Sequence, residues 1–184
     1  FLFCLCCVKA VDMGKIKNVM DIGTGAGFPG VPLKIAFPEV EACLLDSLNK
    51  RVKFLEETFA LLGLEGISAI HGRAEEYAKN KAYREKYDLC VSRAVSGLAT
   101  LSEYCLPYVK VGGLFVSYKS GSVKEEAEAA EKAVKILGGK IRDIQYFDLP
   151  GSEIGRSLVI IEKVKNTPGK YPRKAGTPLR EPLA

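Results

Sequence analysis

The stretch Asp21-Ile-Gly-Thr-Gly-Ala-Gly27 constrains this chain more than any other. It follows a short apolar run, Val19 to Ile22, and leads into a helical one, Val31 to Phe37, halted by Pro38. A strand that runs into alternating glycines and then a helix opens a parallel βαβ sheet. The glycines let the chain bend sharply and let a ligand lie against backbone that carries no Cβ. Such a turn places backbone N–H groups around a ligand at the C-terminal edge of the sheet. By themselves three glycines identify only a nucleotide-like ligand.

Two carboxylates narrow that ligand. Asp21 ends the first strand, where a loop built for the pyrophosphate of NAD usually carries an apolar residue, because a nearby acid repels phosphate. S-adenosylmethionine has no phosphate; its sulfonium and ammonium groups attract an acid. Asp46 ends the second strand, Glu41 to Asp46, where an acid typically accepts both ribose hydroxyls. Gly23, Gly25 and Gly27 then line the cofactor, and Phe28 either covers one of its faces or packs the core. Gly72-Arg-Ala-Glu75 follows the third strand, so Ala74 and Glu75 are candidates for the adenine edge. Glu75 would serve equally as a first-turn helix acid.

The remaining elements alternate. Asn49 to Leu62 is expected as a helix with Val52, Phe54, Leu55, Phe59 and Leu62 on one stripe, ended near Gly63. Ile67 to Ile70, Tyr87 to Ser92 and Leu114 to Tyr118 are further strands, the last entered through a turn at Gly112-Gly113. Ala82 to Lys86 suggests a polar helical turn, and Leu98 to Leu106 a helix halted by Pro107. Val123 to Leu137 is amphipathic: Lys124, Glu125, Glu128, Glu131 and Lys132 oppose Val123, Ala127, Ala130, Val134 and Leu137. Strands Ile141 to Leu149 and Ser157 to Glu162 are separated only by a Pro-Gly loop, so they should pair antiparallel. The expected fold is α/β: a mostly parallel seven-stranded, Rossmann-like sheet with helices on both faces and a terminal antiparallel hairpin. That is the arrangement of class I S-adenosylmethionine-dependent methyltransferases. Residues 1–14 are expected as the remnant of an N-terminal region and 15–165 as the methyltransferase domain. Residues 166–184 form a basic Pro/Gly-rich tail, expected to pack on the domain without regular structure.

A length of 184 residues suits one domain, and 47% hydrophobic with 27% charged residues is a soluble globular balance. The net charge of +5 admits a nucleic-acid partner without requiring one. The six cysteines read as small buried hydrophobes in a reducing compartment, and the lone His71 completes no zinc site, so no metal is expected. Phe1 to Val8 is apolar but too short to span a bilayer, and it lacks the basic start of a secretory signal. The chain does not begin with Met, which suggests a fragment or processed form of a cytoplasmic, monomeric protein without a membrane partner.

Several segments resemble a specific family, the bacterial 16S ribosomal RNA guanine-N7 methyltransferases of the RsmG type, also called glucose-inhibited division protein B. They are Asp21 to Leu33 with its Gly-Phe-Pro-Gly-Val-Pro loop, Leu45 to Leu55, Gly72 to Glu75, Ser92-Arg-Ala-Val95, and the closing Tyr171-Pro-Arg-Lys-Ala-Gly-Thr-Pro178. The resemblance runs from about Lys15 to the end. It implies that Gly23, Phe28, Ala74 and Glu75 contact S-adenosylmethionine and that Arg93 lies at the methyl-transfer site, beside cofactor and guanine. It also implies 16S ribosomal RNA, free or in the small subunit, as partner, with Lys50, Arg51, Lys119, Arg156, Arg173 and Lys174 as candidates for its phosphates. The chain departs from the family in lacking the N-terminal helical region and the His and Asp ahead of the first strand, and in carrying Lys119-Ser120-Gly121 where Lys-Gly is usual.

The chemistry agrees with that resemblance. Guanine N7 has an exposed lone pair and needs no proton removed, so alignment and exclusion of water suffice. No general base stands out, there is no Asn-Pro-Pro-Tyr loop after the fourth strand, and no Pro-Cys nucleophile loop. Arg93 can stack on a purine or donate to guanine O6. The tail from Lys165 holds five basic residues against one acid, which favours RNA over a small molecule. The competing readings are a methyltransferase for another RNA or a small molecule, and a cofactor-binding fragment without turnover. Titration calorimetry is expected to show binding of S-adenosylhomocysteine and none of NAD; the reverse would overturn the cofactor assignment.

Overall fold

In the computed structural model, residues 1–93, 96–149, 151 and 155–183 are described. Ala94 and Val95 of the Ser92-Arg-Ala-Val segment, and Pro150 of the Pro-Gly loop, lie outside them. A short helix α1 (Leu2–Leu5) precedes β1 (Asn18–Ile22), α2 (Gly30–Ala36), β2 (Glu41–Asp46), α3 (Asn49–Leu62) and β3 (Ile67–His71). Then come α4 (Ala74–Tyr77), β4 (Tyr87–Ser92), α5 (Leu98–Cys105), β5 (Val109–Ser120) and α6 (Lys124–Ile136). The chain closes with β6 (Gly139–Asp148), β7 (Gly155–Lys163) and α7 (Thr177–Arg180).

The strands form one seven-stranded sheet in the order β3-β2-β1-β4-β5-β7-β6. The first five are parallel to their neighbours, while β7 runs antiparallel to both β5 and β6. The expected hairpin is therefore present, with its second strand inserted beside β5. The strand order reverses between β1 and β4, and a crevice opens at such a point beyond the strands' C-terminal ends.

Side chains alternate faces along a strand, so each strand feeds two cores. Met20 and Ile22 of β1, Cys90 of β4, Phe115 of β5 and Val159 of β7 pack on one face against α5 and α6. Val19, Leu89, Val91, Val116, Leu158 and Ile160 pack on the other, against Leu33 of α2 and the N-terminal residues Cys7, Val11 and Met13. A smaller cluster on α3 joins Leu55 and Phe59 to Val31 and Leu44. Cysteines 4, 7, 43, 90 and 105 are buried, Cys6 half-buried, and all six are free. No described helix is long and apolar enough to cross a membrane.

Four expectations need correction. Val52, Leu55 and Phe59 of α3 are buried, but Phe54 is 52% and Leu62 51% exposed. Phe54 sits 100° round the helix from Leu55, which turns it off the sheet, and Leu62 is the helix's last residue. The Gly112-Gly113 pair does not turn the chain into β5 but lies inside it, where the pairing with β4 shifts register between Tyr87 and Leu89. A Cβ on Gly113 would come within 2.7 Å of the Asp88 carbonyl, so the pair permits a bulge pressed against the neighbouring strand. Ala82 to Lys86 contains no helix; the helical turn lies earlier, at α4. Finally, the tail contains one regular element, α7, and Thr167, Tyr171, Pro172 and Pro178 are buried against the domain.

The polar interior holds the end of the sheet to that tail. Lys163 of β7 is fully buried; its ammonium donates to the carbonyls of Leu106 (2.6 Å) and Val109 (3.1 Å) and to Thr167 Oγ1 (2.8 Å). Glu85 Oε1 lies 3.2 Å away. Burial pushes the Lys163 pKa down to about 8 against the pull of Glu85. Arg84 extends the same contact, donating to the carbonyls of Ala78, Tyr171 and Thr167. Replacing Lys163 by Met leaves those acceptors and Glu85 without their cation, so Lys163→Met is expected to cost about 3 kcal/mol. Urea unfolding checks this as a lower midpoint at unchanged slope.

Candidate functional site

The glycine loop is bolted down from below. Asp21 points to the same face as Val19 and is fully buried. Its Oδ2 accepts from Thr24 Oγ1 (2.7 Å) and from the Gly30 N–H that begins α2 (2.8 Å). A Cβ on Gly30 would sit 2.8 Å from that same oxygen, which excludes any larger residue there. Gly27 has the same packing role, since a Cβ would meet Val31 and Leu55 below 3 Å. The Asp21 Oδ1 has no hydrogen-bond partner among the described residues. Burial accordingly pushes the Asp21 pKa up to about 6, opposed by its two hydrogen bonds and by Arg93.

From above, the loop is tied to β2. Gly23 and Thr24 donate to the Leu45 carbonyl at 2.9 and 3.2 Å, and Gly25 donates to Asp46 Oδ2 at 2.9 Å. Gly27 and Phe28 donate to the Thr24 carbonyl. These amides are therefore committed within the chain, and the expectation that they surround a ligand is corrected. A loop whose N–H groups are spent internally has little to offer a pyrophosphate. Gly25, at φ +63°, has room beside it: a Cβ there meets nothing within 4 Å.

Two adjoining cavities open where β1, β2, β3 and β4 end. One of about 410 Å³ is lined by Gly23 to Ala26, Phe28, Asp46, Ser47, Arg51 and Arg93. The other, about 130 Å³, is walled by Arg73, Ala74, Glu75, Leu101 and Tyr104. Gly23, Asp46 and Ser47 border both. Asp46 is 2% exposed and already accepts from Gly25, from the Leu48 N–H (2.9 Å) and from Arg51 Nη1 (3.3 Å). Phe28 is half-buried at the mouth, and the Arg93 guanidinium lies over its ring at 5.2 Å while donating to Cys4 Sγ at 3.7 Å. Phe1 makes an edge-to-face contact with Phe28, ring centroids 5.6 Å apart. The two adjoining cavities set the acids Asp46 and Glu75 among three arginines, Arg51, Arg73 and Arg93.

Residues 1–154 match the family described as GidB, rRNA small subunit methyltransferase G. The chain belongs to that family. Proteins named ribosomal RNA small subunit methyltransferase G from Clostridium tetani and Lachnoclostridium phytofermentans are 50% and 52% identical to it. Both alignments cover all of this chain, and 77% and 76% of those relatives. Solved structures share the fold at low identity. The YcgJ protein from Bacillus subtilis superposes with a TM-score of 0.65 at 13% identity, covering 90% of this chain and 98% of that one. A StiE O-MT domain gives 0.69 at 17%, covering 92% and 75%. The class I methyltransferase fold is thereby the fold of this member of the GidB family.

Among the cofactor candidates, Gly23, Gly25, Phe28, Asp46, Ala74, Glu75 and Arg93 come together at the two cavities. Asp21 and Gly27 line neither; they hold the loop in place. Ala74 accepts from the Tyr108 hydroxyl at 2.7 Å, and Glu75, 3% exposed, accepts from the Gly176 N–H at 2.8 Å.

The proposed RNA-facing cations scatter, and four of the six have partners inside the molecule. Arg51 pairs with Asp46, and Lys119 donates to the Ser96 carbonyl and to Glu126 Oε1 at 2.7 Å. Arg156 lies over Phe3 at 5.2 Å. Arg173 grips the fully buried Glu103 through Nε and Nη2. Lys50 and Lys174 are exposed. Sequence reasoning missed Glu103, Ser47, Leu101 and Tyr104. Only the regular spacing of Leu98, Leu101 and Cys105 hinted that one face of α5 turns inward.

The buried acid makes the loop pH-sensitive. The Asp21 pKa of about 6 lies above its ordinary 3.8, so the native protein keeps a proton that the unfolded chain releases. This contribution is present below about pH 4 and lost as pH rises through about 6. Asp21→Asn, which cannot ionise, is expected to gain on the natural protein by about 2–3 kcal/mol between about pH 4 and 7. Urea unfolding across that range measures the difference; a pH-independent gap would contradict it.

Proposed function

We propose that this chain methylates N7 of a guanine in 16S ribosomal RNA with S-adenosylmethionine as methyl donor. The observation that carries the reading is the position of Arg93: over the Phe28 ring, lining the same cavity as the glycine loop and Asp46. When bound, the cofactor supplies an electrophilic methyl group on a sulfonium. The groove itself fits it. Gly25 leaves space for a flat ligand, Asp46 stands at the junction of the two cavities, and the committed loop amides disfavour phosphate.

The residues then divide the work. Gly23, Gly25 and Asp46 seat the sugar region, and Ala74 and Glu75 border the base. Phe28 shields the reacting end from water. Arg93 donates to the incoming guanine, whose N7 lone pair needs no base. His71, the chain's one histidine, faces the Ser47 carbonyl at 3.2 Å and takes no part in this scheme. Of the six candidates, Lys50 and Lys174 remain available to RNA phosphates; Arg51 is paired with Asp46, and Lys119, Arg156 and Arg173 serve the fold.

Incubation with unmodified small-subunit RNA and labelled cofactor, followed by cleavage at N7-methylguanine, tests the reaction. Label elsewhere, or none, would overturn it. Arg93→Ala is expected to lower turnover at least about tenfold while S-adenosylhomocysteine affinity stays within about threefold. Equal turnover would remove Arg93 from the reaction.

A further inference from the structure

The wall of the smaller cavity is held by a part of the chain that does not line it. Glu75 belongs to α4, a single turn of four residues whose own hydrogen bonds cannot orient a carboxylate. What holds Glu75 comes from 101 positions away: Oε1 accepts the Gly176 N–H at 2.8 Å. Glu75 itself borders the cavity. Gly176 aims its amide from a left-handed turn, φ +82°, immediately before α7.

That turn is itself clamped to α5. Arg173 forks onto Glu103, with Nε at 3.0 and 3.1 Å and Nη2 at 2.7 Å, while its own backbone N–H donates to Glu103 Oε1 at 2.8 Å. Two residues past Gly176, the Pro178 carbonyl accepts from Thr100 Oγ1 at 3.0 Å. The helix that receives both anchors also supplies Leu101 and Tyr104 to the cavity. Residues 173–178 thus bridge α5 to α4, the two elements between which a base would lie. A fully buried Glu103 paired with a bidentate Arg is a rigid anchor, and leaving that acid unpaired is costly.

We propose that Arg173 and Gly176 are positioning residues for Glu75, so that docking of the C-terminal segment sets how tightly the nucleoside end of the cofactor is held. The inference rests on the reading that Glu75 borders the bound cofactor. The role is one of affinity rather than chemistry, because Arg93 and Phe28 line the other cavity, whose lining includes none of Glu75, Arg173 and Gly176.

Calorimetry with S-adenosylhomocysteine and steady-state kinetics on small-subunit RNA test it. Arg173→Ala is expected to weaken binding about tenfold and raise the cofactor KM in step, with kcat at saturating cofactor within about twofold. Glu75→Ala should weaken binding by itself, and adding Arg173→Ala to it should change affinity by less than about twofold, the signature of two residues acting through one contact. If Arg173→Ala does not fold, Gly176→Ala replaces it: a Cβ there meets nothing, so the change strains only the turn that aims the amide. Unchanged affinity in the folded single variant, or the same loss with and without Glu75, would overturn the proposal. Unchanged affinity in Glu75→Ala would instead remove the cofactor from Glu75, and the proposal with it.

Discussion

One buried carboxylate organises the ligand end of this sheet. Asp21 cannot reach solvent, and with one oxygen it holds both the Thr24 hydroxyl and the first amide of α2. Those two bonds decide the angle at which the chain leaves β1, so the glycine loop and α2 are placed as one piece. A second set of bonds, from Gly23, Thr24 and Gly25 to Leu45 and Asp46, fastens the loop to the neighbouring strand. The loop is thus fixed on two sides before any ligand arrives, an arrangement that lowers the entropy lost on binding. Its cost is an acid in the interior, visible in the raised pKa.

The distribution of cations tells a different story from their number. Arg84, Lys163 and Arg173 spend their charge on backbone carbonyls and on Glu85 and Glu103, fastening the C-terminal segment to the domain. Burial of a cation demands such partners, because a desolvated charge left alone is far costlier than the pair is stabilising. A basic tail is therefore not by itself a surface for RNA. Here one of the tail's five cations, Arg173, binds the tail to its own protein, and the nearby Gly176 N–H carries that contact to Glu75 at the cofactor groove.

Where signals are local, the sequence is legible to the residue. Glu41 to Asp46 and Tyr87 to Ser92 are strands over the expected spans, and Asn49 to Leu62 is a helix closed by Gly63 at φ +61°. An apolar run bounded by polar residues, or a glycine free to adopt the left-handed conformation, acts over a few positions and needs no fold to be read. Gly112-Gly113 misleads for a related reason. Glycine marks both turns and bulges, and only the approach of the Asp88 carbonyl shows which one is present. Phe54 and Leu62 looked like core because hydrophobicity is local, whereas the direction of the covering sheet is not.

The site divides along the same line. The sequence by itself determined the alternation of strands and helices, a ligand site at the C-terminal edge of the sheet, and the residues Gly23, Gly25, Asp46 and Glu75 that border it, with Arg93 added by family resemblance. Apart from Arg93, these follow from strand ends and turns, which are encoded within a few residues. Only the tertiary structure decided that Asp21 and Gly27 serve the loop rather than the ligand, and that Arg173 grips Glu103 seventy positions earlier. A charge seeks whichever partner the fold brings within about 3 Å of it, and nothing in linear spacing specifies that partner.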